Sequence, residues 1–275
     1  MRLFPLLLII TFAFSALHAS PSNQFKKNEM NELREGIGID EKLGDKVDAN
    51  LEFKNEKGES VKLGDYFSKG KPVMLAMIYF NCPSLCNFQL NGIVDTLKNL
   101  EWTTGEKFEF VVVSIEPTET PELAAKKKKA YLKAYGRDAG AEGWHFLTGK
   151  QEAITKLADQ VGFRYKWVES RKEYAHTAAT YIITPDHQIS RYLYGIGFTP
   201  KTLRLSLVEA SNGKIGNAVD KFLLYCFQYD PEKRGYAFYA FNIMRAGAGA
   251  AVLVLLAFLV PFWLRQRKQR LKENN

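Results

Sequence analysis

The sequence predicts an α/β domain followed by one membrane-crossing helix. Two continuous apolar runs, "VMLAMIYF" (73–80) and "FEFVVVSI" (108–115), have the composition of strands buried on both faces. Helical patterns follow each of them, and strands alternating with helices argue for an α/β sheet. Near the C-terminus, Ala246 to Leu264 contains no charged residue. At ~1.5 Å per residue these positions span roughly 29 Å, close to a bilayer's hydrocarbon core. The 275 residues, 46% of them hydrophobic, suit one domain with a sizeable core plus attachments.

At the N-terminus, Arg2 precedes an apolar run from Leu3 to Phe14 and then small residues up to Ala19. This reads as a signal peptide over 1–19. Residues 20–50 form a polar N-terminal extension, with a short helix expected within Asn28 to Leu43. The main domain is expected over 51–212, a juxtamembrane linker over 213–245, the membrane helix over 246–264 and a basic tail over 265–275. Arg265, Arg267, Lys268, Arg270 and Lys272 follow the apolar run at once, which marks the cytoplasmic side. Aromatic residues Tyr236, Phe238, Tyr239 and Phe241 crowd the other end. The domain is therefore expected outside an inner membrane, on its periplasmic face.

That topology accounts for the charge. The whole chain carries +8. The tail holds five basic residues and Glu273, Arg2 leaves with the signal and Arg245 sits at the membrane. The exported domain is left with about +2, so the basic balance gives no support to nucleic-acid binding.

Within the domain, "LEFKNEKGESVKL" (51–63) reads as a hairpin turning at Asn55–Gly58. Asn87 to Leu100 is helical, with Leu90, Val94, Leu97 and Leu100 as its apolar stripe. In 120–135, Thr120 is a helix N-cap, Pro121 the first helical residue and Glu122 a first-turn acid. Trp144 to Gly149 suggests a strand and Gln151 to Val161 a helix. Strands are expected at about 163–168, 178–184 and 188–194, and a helix from Thr199 to Ala210.

The chemistry centres on Cys82-Pro83-Ser84-Leu85-Cys86, between a buried strand and a helix. A helix N-terminus favours thiolate, the form that binds metals and attacks disulfides. With Cys86 in the first helical turn, Cys82 lies one turn back on the same side. Two thiolates can then converge on one metal, or form a disulfide. Two sulfurs with one imidazole suit a soft cation, so Cu(I) is favoured over magnesium or calcium. The imidazole must come from elsewhere: His145 in "WHFL", His187 in "PDHQ" and His176 in "EYAHTAATYIITP" all remain open. Cys226 reads as a buried small hydrophobe, with an auxiliary copper or disulfide role as the alternative.

The segments "YFNCPSLCNFQL", "EYAHTAATYIITP", "RYLYG" and "LVEASNGKIG" resemble the Sco/SenC family over about residues 36–216. The resemblance implies a thioredoxin-like fold with an N-terminal β-hairpin extension. It implies copper, Cu(I) or Cu(II), held by Cys82, Cys86 and His176, with the two cysteines also serving as a redox pair. It also implies a metallochaperone for the dinuclear copper site of cytochrome c oxidase. The implied partner is the copper-site subunit of that oxidase, beside other periplasmic copper or thiol–disulfide proteins and the membrane. A membrane-anchored thiol–disulfide oxidoreductase is the alternative. Where family members carry Asp in an "S-x-D-P" turn, this chain has Glu116, so that acid's role stays open.

Overall fold

The structure, a computed structural model, describes residues 36–67, 70–82, 85–212, 227–230, 235–238, 248–261 and 263. Five strands form the central sheet: β4 (Val73–Ile78), β5 (Glu109–Ser114), β6 (Trp144–Leu147), β9 (Ala179–Ile183) and β10 (Ile189–Tyr194). Their spatial order is β10-β9-β4-β5-β6. Strand β4 runs parallel to β5, and β5 to β6, whereas β9 is antiparallel to both β4 and β10. Every residue of β4, β5 and β9 is buried, which is why those runs lack polar alternation.

The parallel strands need crossovers, and helices supply them. Helix α1 (Leu85–Lys98) follows β4 and packs against α2 (Pro121–Tyr135), which follows β5 and lies on β6. Helix α3 (Gln151–Gln160) follows β6 and contacts β7 (Phe163–Val168). Helix α4 (Pro200–Ala210) lies on β9 and β10. The expected cap of α2 is present: the Thr120 side chain accepts from Leu123 N–H at 3.4 Å, Pro121 opens the helix, and Gly136 ends it at φ 71°.

The expected hairpin comprises β2 (Glu52–Lys54) and β3 (Ser60–Lys62), turning through Gly58 at φ 81°. It is anchored to the domain. Phe53 is buried, and Lys54 exchanges backbone hydrogen bonds of 2.7 and 2.9 Å with Thr148. Glu56 pairs with Lys128 of α2 and accepts from Phe146 N–H at 3.3 Å.

Two local expectations are corrected. The helix proposed within 28–43 is absent over 36–43, where β1 (Gly38–Ile39) instead pairs with Arg164 and Phe163 of β7. Gly36 and Gly38 adopt positive φ, which an α-helix excludes, and the strand partner lies far along the chain. The second correction concerns His176, which lies between the strands expected at about 163–168 and 178–184. It is the last residue of β8 (Glu173–His176), which forms a hairpin with β7 and opposes Tyr165. Lys172, at φ 51°, makes that turn.

Beyond the sheet, β11 (Phe227–Asp230) and β12 (Gly235–Phe238) form a small hairpin within the stretch expected as linker. Helical backbone runs over 248–261 and 263, exposed throughout. Among the described residues no helix is long and apolar enough to cross a membrane. The signal peptide, the basic tail and Cys226 lie outside the described residues.

Candidate metal centre

Strand β4 ends at Ile78, and the chain then leaves the sheet at its carboxyl edge, where α/β proteins place their ligands. Cys82 lies in that departing segment and Cys86 is the second residue of α1. The Cys86 N–H donates to Cys82 Sγ at 3.4 Å, so the first thiol satisfies a backbone donor of the helix that carries the second. Cys82, Cys86 and His176 are 4%, 1% and 7% exposed, and no disulfide joins the two cysteines.

His176 comes to this point from β8. Its Nε2 lies 3.2 Å from Cys86 Sγ, across ninety residues of sequence. Its Nδ1 lies 2.9 Å from the carbonyl oxygen of Thr177. A carbonyl only accepts, so Nδ1 carries the proton and Nε2 presents a lone pair to the thiol. Burial lowers the His176 pKa from its ordinary 6.5, which favours this neutral tautomer. A neutral imidazole oriented through Nδ1 is the form that binds a metal through Nε2.

The expectation that the helix N-terminus would favour thiolate at Cys86 does not hold in this state. The hydrogen bond with Cys82 and burial push the Cys86 thiol far above its ordinary 9.0. The hydrogen bond with Cys82 favours the neutral thiol, and desolvation of the charged form adds to it. Tyr79 closes the site, its ring edge-on to Tyr174 at 5.5 Å and to His176 at 6.3 Å. Burial pushes its phenol above the ordinary 10.0.

The other two candidate histidines are elsewhere. His145 lies against Glu109 at 3.0 Å and Tyr66 at 4.4 Å, at the amino-terminal end of the parallel strands. His187 sits in a turn with its ring 4.7 Å from Phe67. Among the described residues, no group of three or more His, Cys, Asp or Glu side chains stands ready-made around a metal position. Cys86 is in contact with both Cys82 and His176.

Glu116 does not face the thiols. Its carboxylate accepts from the Thr118 N–H at 3.0 Å and hydroxyl at 2.7 Å, and it is hydrogen-bonded with Tyr174. The acid that reaches the cysteine loop is Glu119, which accepts from the N–H groups of Phe80 and Asn81 at 2.7 and 2.6 Å. On the other side, Asn87 donates to the Cys82 carbonyl at 2.8 Å and accepts from Lys127 at 3.0 Å. Neither brace was visible in the sequence, since Glu119 and Lys127 look like ordinary residues of a polar loop and a solvated helix face.

Fold and site together define a thioredoxin-like protein with a dithiol–imidazole centre at the end of its first central parallel strand. The SCO1/SenC family matches residues 40–206, and the chain belongs to that family. A crystal structure from Aquifex aeolicus VF5, provisionally described as an electron transfer protein, shares the fold with 24% identity and a TM-score of 0.55. That match covers 63% of this chain and 96% of the other. Arabidopsis thaliana ScoI, solved with copper bound, matches at 18% identity over 62% of this chain and 99% of its own, with a TM-score of 0.48. BsSco, described as a member of the Sco family of cytochrome c oxidase assembly proteins with a disulfide switch, matches at 21% identity. That alignment covers 64% of this chain and 99% of BsSco, with a TM-score of 0.49. A search of the curated proteins finds no match.

Proposed function

We propose that the protein is a copper metallochaperone, with Cys82, Cys86 and His176 as the ligands. It delivers copper to, or prepares the cysteines of, the dinuclear copper site of cytochrome c oxidase. The observation that carries the reading is the 3.2 Å contact of Cys86 Sγ with Nε2 of His176. Soft sulfur donors and one neutral imidazole, with no carboxylate among them, suit copper. Membership of the SCO1/SenC family, whose Arabidopsis relative is described with copper bound, agrees with it.

Cys82, Cys86 and His176 would hold the cation, with Cys86 Sγ and His176 Nε2 already 3.2 Å apart.

The apolar run 246–264 and the basic tail after it support a single-pass anchor, with the centre on the periplasmic side. The partner is then the copper-bearing subunit of a membrane oxidase. Copper stoichiometry and X-ray absorption on the reduced protein test the reading. One copper per chain with sulfur and nitrogen neighbours is expected, and unchanged stoichiometry in the Cys82→Ser, Cys86→Ser variant would sink it.

The hydrogen bond between the two thiols favours a second reading, a thiol–disulfide oxidoreductase, because it brings the sulfurs within reach of each other. In that role His176 contributes little, and His176→Ala retains disulfide exchange with a small-molecule thiol. A peroxidase has less support. Arg164 pairs with Asp40 at 3.0 Å and Arg191 with Glu209, so neither is directed at Cys82.

A further inference from the structure

We propose that Glu119 is the positioning residue of the Cys82 loop, holding the first thiol where Cys86 and His176 can share a ligand with it. The inference rests on Cys82 being a working thiol, as both readings above require.

After Ile78 the chain loses its ladder partners. Ile115 N–H still donates to the Ile78 carbonyl at 2.7 Å, and among the described residues no further backbone bond joins this segment to β5. The N–H groups of Phe80 and Asn81 would then lack acceptors. Each oxygen of Glu119 takes one of them: Oε2 accepts from Phe80 at 2.7 Å and Oε1 from Asn81 at 2.6 Å. Oε2 also accepts from the Ser114 hydroxyl at 2.6 Å. Ser114 is the fully buried last residue of β5, in register with Ile78. The carboxylate thus fastens the departing segment back onto the sheet, one residue before Cys82. Cys82 N–H then closes a turn on the Tyr79 carbonyl at 3.4 Å.

Bonds from neutral donors to a carboxylate are short and stronger than neutral pairs, and a bidentate arrangement adds direction. A displacement of one ångström at Cys82 is enough to spoil coordination by three donors. Glu119 touches no ligand atom in these contacts, so it acts through the backbone.

The test uses the full-length chain with Cu(II) added as the free ion, comparing wild type with Glu119→Gln and Ser114→Ala. In Glu119→Gln the new side-chain amide offers one acceptor and turns a donor toward the second N–H. Copper affinity should fall about tenfold, as expected for the loss of one charge-assisted hydrogen bond. The sulfur-to-copper charge-transfer band should also shift in energy or intensity, and Ser114→Ala should move both in the same direction by less. A wild-type band and affinity in Glu119→Gln overturn the proposal. So does a lowered melting temperature with an unchanged spectrum per bound copper, which marks a structural brace alone.

Amide hydrogen exchange on the wild type provides a readout that needs neither copper nor a folded variant. Phe80 and Asn81 should be protected like the ladder amides of β4, and exchange at open-loop rates overturns the proposal. If the wild type takes up no copper, the copper reading fails by itself. Glu119 is then judged on that exchange and on the reduction potential of the Cys82–Cys86 pair, which Glu119→Gln should shift and which an unchanged value would refute.

Discussion

The side-chain amide of Gln89 donates to the carbonyl oxygen of Ala179 at 2.9 Å, three residues beyond Cys86 on α1 and three beyond His176. The Cys86–His176 contact spans the same ninety residues. Two bonds of equal sequence offset, one turn apart on the helix, therefore register α1 against the chain that enters β9. The first is the candidate ligand pair and the second holds it in line.

Gln89→Leu should keep the fold and destabilise it. Gln89 is fully buried, and an apolar replacement leaves the Ala179 carbonyl without its partner. The cost should be about 1–3 kcal/mol, read as a lowered denaturant midpoint at unchanged slope. A midpoint equal to the wild type would show that the clamp carries no energy.

His176→Ala should weaken Cu(II) binding by more than about 100-fold, beyond the 10–100-fold that supporting residues around a metal typically contribute. Cu(I), held mainly by the two sulfurs, should lose much less. Competition titrations in each oxidation state separate the two. Equal losses for both ions would contradict a soft dithiolate site.

Gly92→Ala should disturb the same face of α1. A Cβ there would stand 1.9 Å from the Ile196 carbonyl oxygen, which is backbone and cannot rotate away. The loop carrying Ile196 is also tied to α1, since Thr96 donates to the Phe198 carbonyl at 2.7 Å. It is tied next to His176 as well, because Gly195 N–H donates to the Ala178 carbonyl at 2.9 Å. Overpacking of about 1–3 kcal/mol should appear as a lower melting temperature, with copper affinity reduced as well. Unaltered stability would mean that this packing relaxes freely.

Acid should loosen the β2–β3 hairpin through Glu56. Burial raises the Glu56 pKa, but the hydrogen bond and charge of Lys128, with the Phe146 N–H, outweigh it and leave the pKa below the ordinary 4.5. The folded state thus binds the proton less well than the unfolded chain. The contribution is present above pH 4.5 and is lost as pH falls through the folded value. Thermal melts of wild type and Glu56→Gln should differ at neutral pH and converge on acidification. A difference that persists unchanged to about pH 3, below the ordinary carboxylate range, would assign the effect to packing.

Much of the architecture was legible because it is written locally. Buried strands β4 and β5 announce themselves as unbroken apolar runs, and α2 carries its own Thr120 cap and Pro121 start. The Cys82–Cys86 spacing was readable as a paired-thiol motif at a helix start. By contrast, β8 reads "EYAH" and has no alternating pattern; it is a strand because β7 pairs with it. On the other side of β7, β1 is two residues long and begins with Gly38, invisible without Phe163 and Arg164 across from it.

The amino-acid sequence by itself determined the α/β class, the position of the two thiols at a strand–helix junction and the three candidate imidazoles. Residue type and short-range periodicity decide those features. Residue patterns alone left the imidazole open, the resemblance pointed to His176, and the tertiary structure brings that ring to Cys86; which tautomer it holds and which acid braces the loop were decided only by the tertiary structure. His176 and Cys86 are ninety residues apart, and Glu119 acts through backbone N–H groups common to every residue except proline. Contacts of that kind depend on strand order and on burial, and neither is encoded in any short stretch of chain.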